Sequence, residues 1–580
     1  MPASWMPSTV IAVMIAAFLN LILSSSIISG QSAKSDAIVQ GETGILLDTY
    51  LTRAAAFGFS GVLLVEKDHR IILSKGYGWA DRAHNLPPNP RTPFFIASIT
   101  KQFTAAAILK LEEQGKLKTD DLIGKYIKGV PADKAQVTIH HLLTHTSGLG
   151  DNYSATRELD REKAVQKILA QPLAAPIGTK FIYSNDGYNL LAAICELAAG
   201  ESFESYVKKN LFAPAGMIDA GFMGEKSRWP NHYVARGYNC RTDFGSPQEW
   251  LYDWESRGGV GIIVSAQDLY HWEQALRQDD VLSASIKRKL FTPYAKEPNG
   301  WSYGYGWHVI ETSRGTTELY HGGNETPRGF TAEYRRYLGE GVTTILLVNM
   351  MIDEIGLNRM VNDDIAAIIF GGKVTLPPSF IEIDQSLLQQ YAGSYQLPSG
   401  DQFQIWIENG QLVIGAEGQE AVNCLTPLSD DVLAKVKGLS SQILTVIEAA
   451  DKGETAGNPF KPRLDALKQQ YGPFRGAQDL GTVPLLATGD LVTTYLRLRF
   501  ERENVPYRWV RRGGKVLSAM QNTPLPAITQ LMPQAENVFV GYNPVLAATI
   551  DLRFNRDGSK AVTELMLHTK FRNVTARKIK

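Results

Sequence analysis

Strand-like runs stand at both ends of one long segment, with the helical patterns between them. Residues 59–65 and 71–78 are short apolar runs around Lys67-Asp68-His69-Arg70, the pattern of a hairpin. Residues 329–336 and 342–350 return to that texture far downstream. Between them, Phe103, Ala106, Ala107, Leu109 and Leu111 recur at helical spacing within 100–115. Similar patterns follow at 187–199, 203–211 and 266–276. Strands that open and close a segment around helices predict an α/β sandwich whose sheet is completed late. A further helix is expected at 357–370.

Gly371-Gly372-Lys373 and Pro377-Pro378 mark a linker, and the texture changes beyond it. Residues 402–407 and 411–415 flank Asn409-Gly410, a strong hairpin signal. Residues 495–501, 507–511 and 550–554 alternate apolar and charged side chains, and Asp557-Gly558 supplies another turn. This pattern predicts a small antiparallel barrel or curved sheet. Segments 441–450 and 462–470 read as helix or loop, and 451–458 as a surface insertion. For 580 residues the length alone suggests about four units. The pattern contracts these to a leader at 1–33, an α/β unit at 38–372, a linker at 373–385 and a β-rich unit at 386–580.

Composition narrows the function classes. The 59 Lys+Arg balance 59 Asp+Glu, so nothing in the bulk charge favours nucleic acid, and no nucleic-acid partner is expected. With 44% hydrophobic and 20% charged residues the chain can build a large core, which excludes disorder, collagen and coiled coil. Three cysteines, Cys195, Cys240 and Cys424, cannot build a disulfide framework. Cys195, in an apolar helical stretch, reads as a core residue. No charged side chain precedes Lys34, and residues 10–23 are apolar apart from Asn20. That is the pattern of a secretory signal cleaved near Gly30 or Ala33, and it predicts export to the periplasm or the extracellular space. The basic residues that usually precede such a segment are missing, which leaves an uncleaved N-terminal anchor as the alternative. No other membrane contact is expected.

Chemistry concentrates in four short motifs. Ser98-Ile99-Thr100-Lys101 places a hydroxyl and an amine three positions apart at the start of a helical pattern, where they share a face. A lysine in a partly desolvated pocket can lose its proton and activate such a serine. Alone the motif is weak, and Ser205-Tyr206-Val207-Lys208 repeats it inside a helical pattern with both polar groups solvated. Two further motifs occur once each: Tyr183-Ser184-Asn185 before a helix, and His321-Gly322-Gly323 before the strand at 329–336. Between Ser98 and Tyr183 lies Thr138-Ile139-His140-His141-Leu142-Leu143-Thr144-His145-Thr146-Ser147-Gly148-Leu149.

In this order the four motifs resemble the serine β-lactamase and penicillin-binding-protein superfamily, and within it the class C β-lactamase-related hydrolases and esterases. Gly258-Gly259-Val260-Gly261, Ser265-Ala266-Gln267-Asp268-Leu269 and Tyr303-Gly304-Tyr305-Gly306-Trp307 are similar to the same branch. The likeness covers about Leu47 to Gly372. It implies an α/β fold with an antiparallel sheet flanked by helices and an all-helical subdomain. The β-rich unit is similar to the lipocalin-like, antiparallel barrel domains appended to some relatives, which cap the site or build a homo-oligomer.

The resemblance implies a metal-independent serine hydrolase that uses no cofactor. Ser98 is then the nucleophile that forms an acyl-enzyme, and Lys101 and Tyr183 share general-base work. Asn185 contacts the substrate amide or orients Lys101. The Ser98 N–H and the N–H near Asn324 form the oxyanion hole, and Gly322 and Gly323 let substrate backbone approach. Most β-lactamases carry Lys-Thr-Gly where this chain has His321-Gly322-Gly323. A largely neutral histidine grips a carboxylate less securely than lysine, which leans towards small-molecule or peptide esters, amides or D-amino-acid peptides. A true β-lactamase and a penicillin-binding sensor that acylates without turnover are the alternatives. His140, His141 and His145 lack a His-Glu-x-x-His arrangement and read as turn-fixing residues, so no metal is expected there. Trp79, Trp301 and Trp307 are candidates either for the pocket wall or for the core.

Overall fold

The computed structural model describes residues 37–580 except 231, 240–241, 352–356, 409, 427, 455–459, 485–488, 514, 522–524, 526 and 544–547. The leader at 1–33, Cys240, Asn409 of the hairpin turn and residues 455–458 of the 451–458 insertion lie outside the described residues.

Nine strands form the first sheet: β1 (Ile38–Val39), β2 (Gly61–Lys67), β3 (Arg70–Tyr77), β4 (Ala295–Lys296), β5 (Ser302–Tyr303), β6 (His308–Glu311), β7 (Thr317–Glu325), β8 (Phe330–Leu338) and β9 (Val342–Val348). Their spatial order is β1-β3-β2-β9-β8-β7-β6-β5-β4, so the N-terminal hairpin joins the late strands through β2 and β9. The pairing is antiparallel, with Val62 opposite Leu347 and Leu64 opposite Ile345. Sheets covered on both faces read as continuous apolar runs, and β2 and β9 show why. Val62, Leu64, Ile345 and Leu347 point into one core, while Leu63, Val65, Leu346 and Val348 point into the other. Burying each of these side chains contributes about 1.5–3 kcal/mol.

Helices fill both cores. α1 (Gly41–Ala56) and α6 (Leu357–Ile369) cover one face with Leu47, Leu51, Val361 and Ile365. On the other face lie α2 (Thr100–Glu113), α3 (Ile139–Leu143), α4 (Asn185–Ala199) and α5 (Ala266–Arg277). Phe103, Leu142, Leu190 and Trp272 join that core. Trp307 is buried there too, so it is a core residue and not a pocket wall. The helix expected from 187 begins two residues earlier because the Ser184 hydroxyl caps it, accepting the Gly187 N–H at 3.0 Å. The helix expected at 203–211 is α-helical only over Phe203–Val207 and continues as a π turn over Lys208–Phe212.

Beyond the linker, eight antiparallel strands close into the expected barrel, and only the placement of two segments within it needs a correction. The barrel comprises β10 (Gly393–Gln396), β11 (Gln402–Glu408), β12 (Gln411–Glu417), β17 (Thr529–Ala535), β18 (Val538–Asn543), β19 (Ala548–Arg556), β20 (Val562–Thr569) and β21 (Asn573–Lys578). The alternating segments near 495 and 507 do not belong to it. They lie in a separate four-stranded meander, β13 (Phe474–Pro484), β14 (Leu491–Phe500), β15 (Asn504–Arg512) and β16 (Lys515–Gln521). α7 (Leu439–Lys452) and α8 (Lys461–Tyr471) cover it, with Ile443, Ile447, Leu464 and Leu467 packed on Leu496, Leu498, Tyr507 and Trp509. Alternation identifies a strand with one dry face but does not say which sheet supplies its neighbours. The barrel meets the α/β unit at the end of α1, where Phe57 packs with Met532, Val540 and Tyr542. No helix among the described residues is long and apolar enough to cross a membrane.

Candidate active site

Ser98 sits in a single 3₁₀ turn, Ala97–Ile99, that runs directly into α2. Ala97 adopts a left-handed backbone with φ of 43°, an uncommon conformation for a residue with a side chain. Ser98 itself is half-buried, so its hydroxyl remains reachable. One helical turn on, Lys101 is completely buried. Its Nζ lies 3.1 Å from Ser98 Oγ, 2.6 Å from Asn185 Oδ1 and 2.9 Å from the Gly259 carbonyl oxygen. The amine also stands over the Tyr183 ring, 4.8 Å from its centroid. Burial lowers the Lys101 pKa to about 7, opposed by the charges of Asp151 and Glu255.

Tyr183 and Asn185 are placed by the cap of α4. Ser184 anchors the loop, its hydroxyl donating to the Gly150 carbonyl at 2.9 Å and its N–H donating to His145 Nδ1 at 3.0 Å. The His145 ring lies against Tyr183 with centroids 4.3 Å apart. Burial, reinforced by the charge of Lys101, pushes the His145 pKa well down, so it accepts from Ser184 as a neutral ring. Burial moves the Tyr183 phenol upward, and a hydrogen bond with Ser98 opposes the shift. Asp151 holds Asn185 twice, accepting its backbone N–H at 3.1 Å and its side-chain amide at 3.2 Å.

β7 forms the opposite wall. Gly323 packs so tightly on the Ser98 turn that a Cβ there would lie 2.0 Å from the Ile96 carbonyl oxygen. Asn324 follows at the exposed end of the strand. The His321 ring is buried, with Nε2 3.0 Å from the Tyr303 hydroxyl and Nδ1 2.8 Å from the Gly322 carbonyl oxygen. Burial first, then the neighbouring His308 and Lys101, pushes its pKa well below the usual value. His321 therefore presents no positive charge at neutral pH. Gly258 passes over α4 at a point where a Cβ would lie 2.0 Å from the Tyr188 carbonyl oxygen, and this brings the Gly259 carbonyl to Lys101.

Ser98, Lys101, Tyr183 and Asn185 are thus gathered around one amine, with His321, Gly322, Gly323 and Asn324 on the facing strand. The second Ser-x-x-Lys is not such a pair. Ser205 donates to Glu201, and Lys208 is ion-paired with Glu225. His141 closes a capping box with Thr138, and His140 meets the Tyr305 hydroxyl at 2.7 Å. Both line a separate cavity of about 510 Å³ together with Phe181 and Tyr294. Sequence reasoning missed Asp151, although it lies two residues after the Thr-Ser-Gly-Leu motif. It also missed Glu255, whose pKa is raised to about 8 by burial and by Asp186.

Comparison with known proteins bears on the family and the fold. A penicillin-binding protein of Bacillus subtilis (strain 168), PbpX, is 34% identical over 257 residues, which is 44% of this chain and 63% of that protein. The chain thus spans less than two thirds of that relative's length. A second penicillin-binding protein of the same organism is 28% identical over 389 residues, covering 62% of this chain and 84% of its own. The structure of the octameric penicillin-binding protein homologue from Pyrococcus abyssi superposes with a TM-score of 0.50, 21% identity and coverage of 92% of this chain and 98% of that one, a likeness of fold. The beta-lactamase family model matches residues 51–360. That span is more than half of the chain and holds Ser98, Lys101, Tyr183 and His321, so the chain belongs to the beta-lactamase family.

Proposed function

We propose that this chain is a serine acyl-transfer hydrolase that cleaves esters, amides or D-amino-acid peptides through a Ser98 acyl-enzyme, without a metal in the reaction. One observation carries the reading: a completely buried lysine amine lies 3.1 Å from the hydroxyl of a half-buried serine, held there by Asn185 Oδ1 and the Gly259 carbonyl oxygen. A neutral amine has two N–H donors and one lone pair. As an ammonium Lys101 donates to all three oxygens; once it loses a proton, the two remaining N–H groups can stay on Asn185 Oδ1 and the Gly259 carbonyl, which frees a lone pair for the Ser98 hydroxyl proton. The pKa of about 7 populates that form near neutrality.

Acylation follows from these positions. The Ser98 proton passes to Lys101 as Oγ bonds to the carbonyl carbon, and the developing oxyanion is met by the Ser98 and Asn324 N–H groups. Tyr183 remains a phenol at neutral pH and acts as the donor to the leaving group, and Lys101 re-protonates it. Water then takes the place of the leaving group and bonds to the acyl carbon as it gives a proton to the same amine; the Ser98 Oγ–carbon bond breaks, Lys101 returns that proton to Oγ, and the acid leaves. Neutral His321 offers no cation to a substrate carboxylate, which favours uncharged acyl groups over penicillin-like acids. The units at 38–372 and 386–580 are read as a catalytic domain and an appended barrel domain. Export and an oligomer built through the barrel belong to the same proposal; the octameric Pyrococcus homologue supports assembly as such and not the barrel as its route.

The test is covalent labelling with a fluorophosphonate and with benzylpenicillin, read by intact mass. A turnover panel of nitrocefin, p-nitrophenyl esters and D-amino-acid p-nitroanilides accompanies it. One adduct per chain in wild type, none in Ser98→Ala, and turnover of an ester or anilide support the reading. A lasting Ser98 adduct with no product from any substrate identifies a penicillin-binding sensor instead. Full turnover by Ser98→Ala overturns both.

A further inference from the structure

The turn after β3 and the loop that precedes Arg236 bring three metal-ligand side chains together on a different part of the surface. Asp81 lies in a turn closed by its own bridge to Leu86, and its carboxylate is fully buried. His84 Nδ1 and His232 Nδ1 each lie 2.9 Å from the same oxygen, Asp81 Oδ2. The two rings are tilted by 42° to each other, with centroids 3.7 Å apart. Each imidazole is about half exposed, at 50% and 40% of its side-chain surface.

We propose that Asp81, His84 and His232 bind one divalent transition-metal ion of the zinc type, with solvent in a fourth position. The three ligand atoms, one oxygen and two nitrogens, lie within 4.8 Å of one another, and two of the three separations, each Nδ1 to Asp81 Oδ2, are 2.9 Å. At metal–ligand distances of about 2.0–2.1 Å, tetrahedral ligand atoms stand roughly 3.3 Å apart. The two Nδ1–Oδ2 separations need to widen by only a few tenths of an ångström. The protons also balance. Each neutral imidazole that donates Nδ1–H to Asp81 shifts that proton to its exposed Nε2, and the freed lone pair takes the ion, with no net proton released. One carboxylate and two neutral rings suit a dication.

Both ligand-bearing segments are held before any ion arrives. The His84 N–H donates to Asp81 Oδ1 at 3.3 Å, fixing the carboxylate plane. The Arg236 N–H donates to the Ala80 carbonyl at 2.9 Å, and the Arg82 N–H to the Tyr238 hydroxyl at 2.9 Å. These bonds tie the His232 loop to the Asp81 turn. His232 keeps a left-handed backbone, φ 63°, a conformation that persists in a residue with a side chain only where the surroundings impose it. A bound ion would clip the two loops together, a stabilising role separate from the Ser98 chemistry.

Zinc chloride alone is the probe. The full chain, stripped with a chelator, is titrated by calorimetry and followed by thermal unfolding, with cobalt(II) absorbance reporting the ligand geometry. Wild type is expected to bind one equivalent, to gain several degrees in Tm and to show the intense visible bands of tetrahedral cobalt. His84→Ala and His232→Ala, with unchanged circular dichroism, each lose that equivalent. The proposal is overturned by folded wild type that neither binds zinc nor gains stability, or by the same binding in the double variant His84→Ala/His232→Ala.

Discussion

Lys101 Nζ lies 3.1 Å from Ser98 Oγ, one helical turn along the same face of the chain. The amine is completely buried, and its pKa falls to about 7. As a base it must be unprotonated, so acylation should rise with pH through a limb near 7 and level off above it. Lys101→Arg keeps a cation that cannot lose its proton at these pH values and should reduce acylation by about 10²–10⁴-fold at every pH. A rapid-mixing fluorophosphonate assay from pH 5 to 9 measures both. A flat profile in wild type would exclude Lys101 as the base. The same depression has a stability consequence. Between pH 7 and the ordinary lysine range near 10.4 the unfolded chain binds a proton that the folded chain lacks, so this residue's contribution to stability rises with pH across that window.

Asp151 touches Lys101 only through Asn185, and that makes it a positioning residue. Asp151→Ala removes both acceptors of Asn185 and should lower the acylation rate about 10-fold, the effect of losing roughly 1.4 kcal/mol of hydrogen bonding. Its negative charge also raises the Lys101 pKa, so removing it should move the acid limb to lower pH. Asp151→Asn separates the two effects, keeping an acceptor while losing the charge. It should shift the limb with a smaller loss of rate. If neither variant moves the limb, Asp151 has no electrostatic hold on Lys101.

What could be read in the sequence followed its local patterns. The order of Ser98, Lys101, Tyr183, Asn185 and His321 was legible because each motif is a short run with its own chemistry. The central strands were legible because an apolar run bounded by turn residues needs cover on both faces. The remaining parts of the site depend on chain segments that meet only in the fold. The Gly259 carbonyl reaches Lys101 across 158 positions, and Asp151 meets Asn185 across 34. His145 was expected to fix a turn, and it does hold the Tyr183–Ser184 loop. Its ring contact with Tyr183, however, has no counterpart in residue spacing. Asp81, His84 and His232 are not legible as a cluster for the same reason, since His232 lies 151 positions from Asp81.

Gly323 sets the distance between β7 and the nucleophile turn. An alanine Cβ would lie 2.0 Å from the Ile96 carbonyl oxygen, which is backbone and cannot swing aside as a side chain would. Gly323→Ala should push the strand away from Ser98 and separate the two N–H groups that receive the oxyanion. Losing one such donor reduces rate by about 10²–10³-fold, and the overpacking costs about 1–3 kcal/mol. Time-resolved labelling and the urea midpoint read the two effects independently. Labelling at the wild-type rate would show that Gly323 does not set this spacing.

Glu273 is the anchor of a charge network buried between α5 and the sheet, with 2% of its side chain exposed. It accepts from Arg277 Nε at 2.8 Å and from the Tyr334 hydroxyl at 2.6 Å, and it lies 2.6 Å from Arg336 Nε, an ion pair whose N–H is not aimed along the contact. Arg277 has a second acid in Glu66, at 2.8 Å, whereas Glu273 is the carboxylate paired with the nearly buried Arg336. Glu273→Ala therefore strands one arginine charge in the protein and should cost about 3–5 kcal/mol. Replacing both partners, as in Glu273→Met/Arg336→Met, removes the stranded charge and should recover much of that loss, because the pair's attraction is largely offset by its desolvation. Arg91→Ala, which breaks an ion pair to Asp219 with the arginine 45% exposed, should change stability by about 1 kcal/mol or less. Urea unfolding of the three variants decides the matter. A double variant no more stable than Glu273→Ala would mean that the network holds α5 through packing and not through charge.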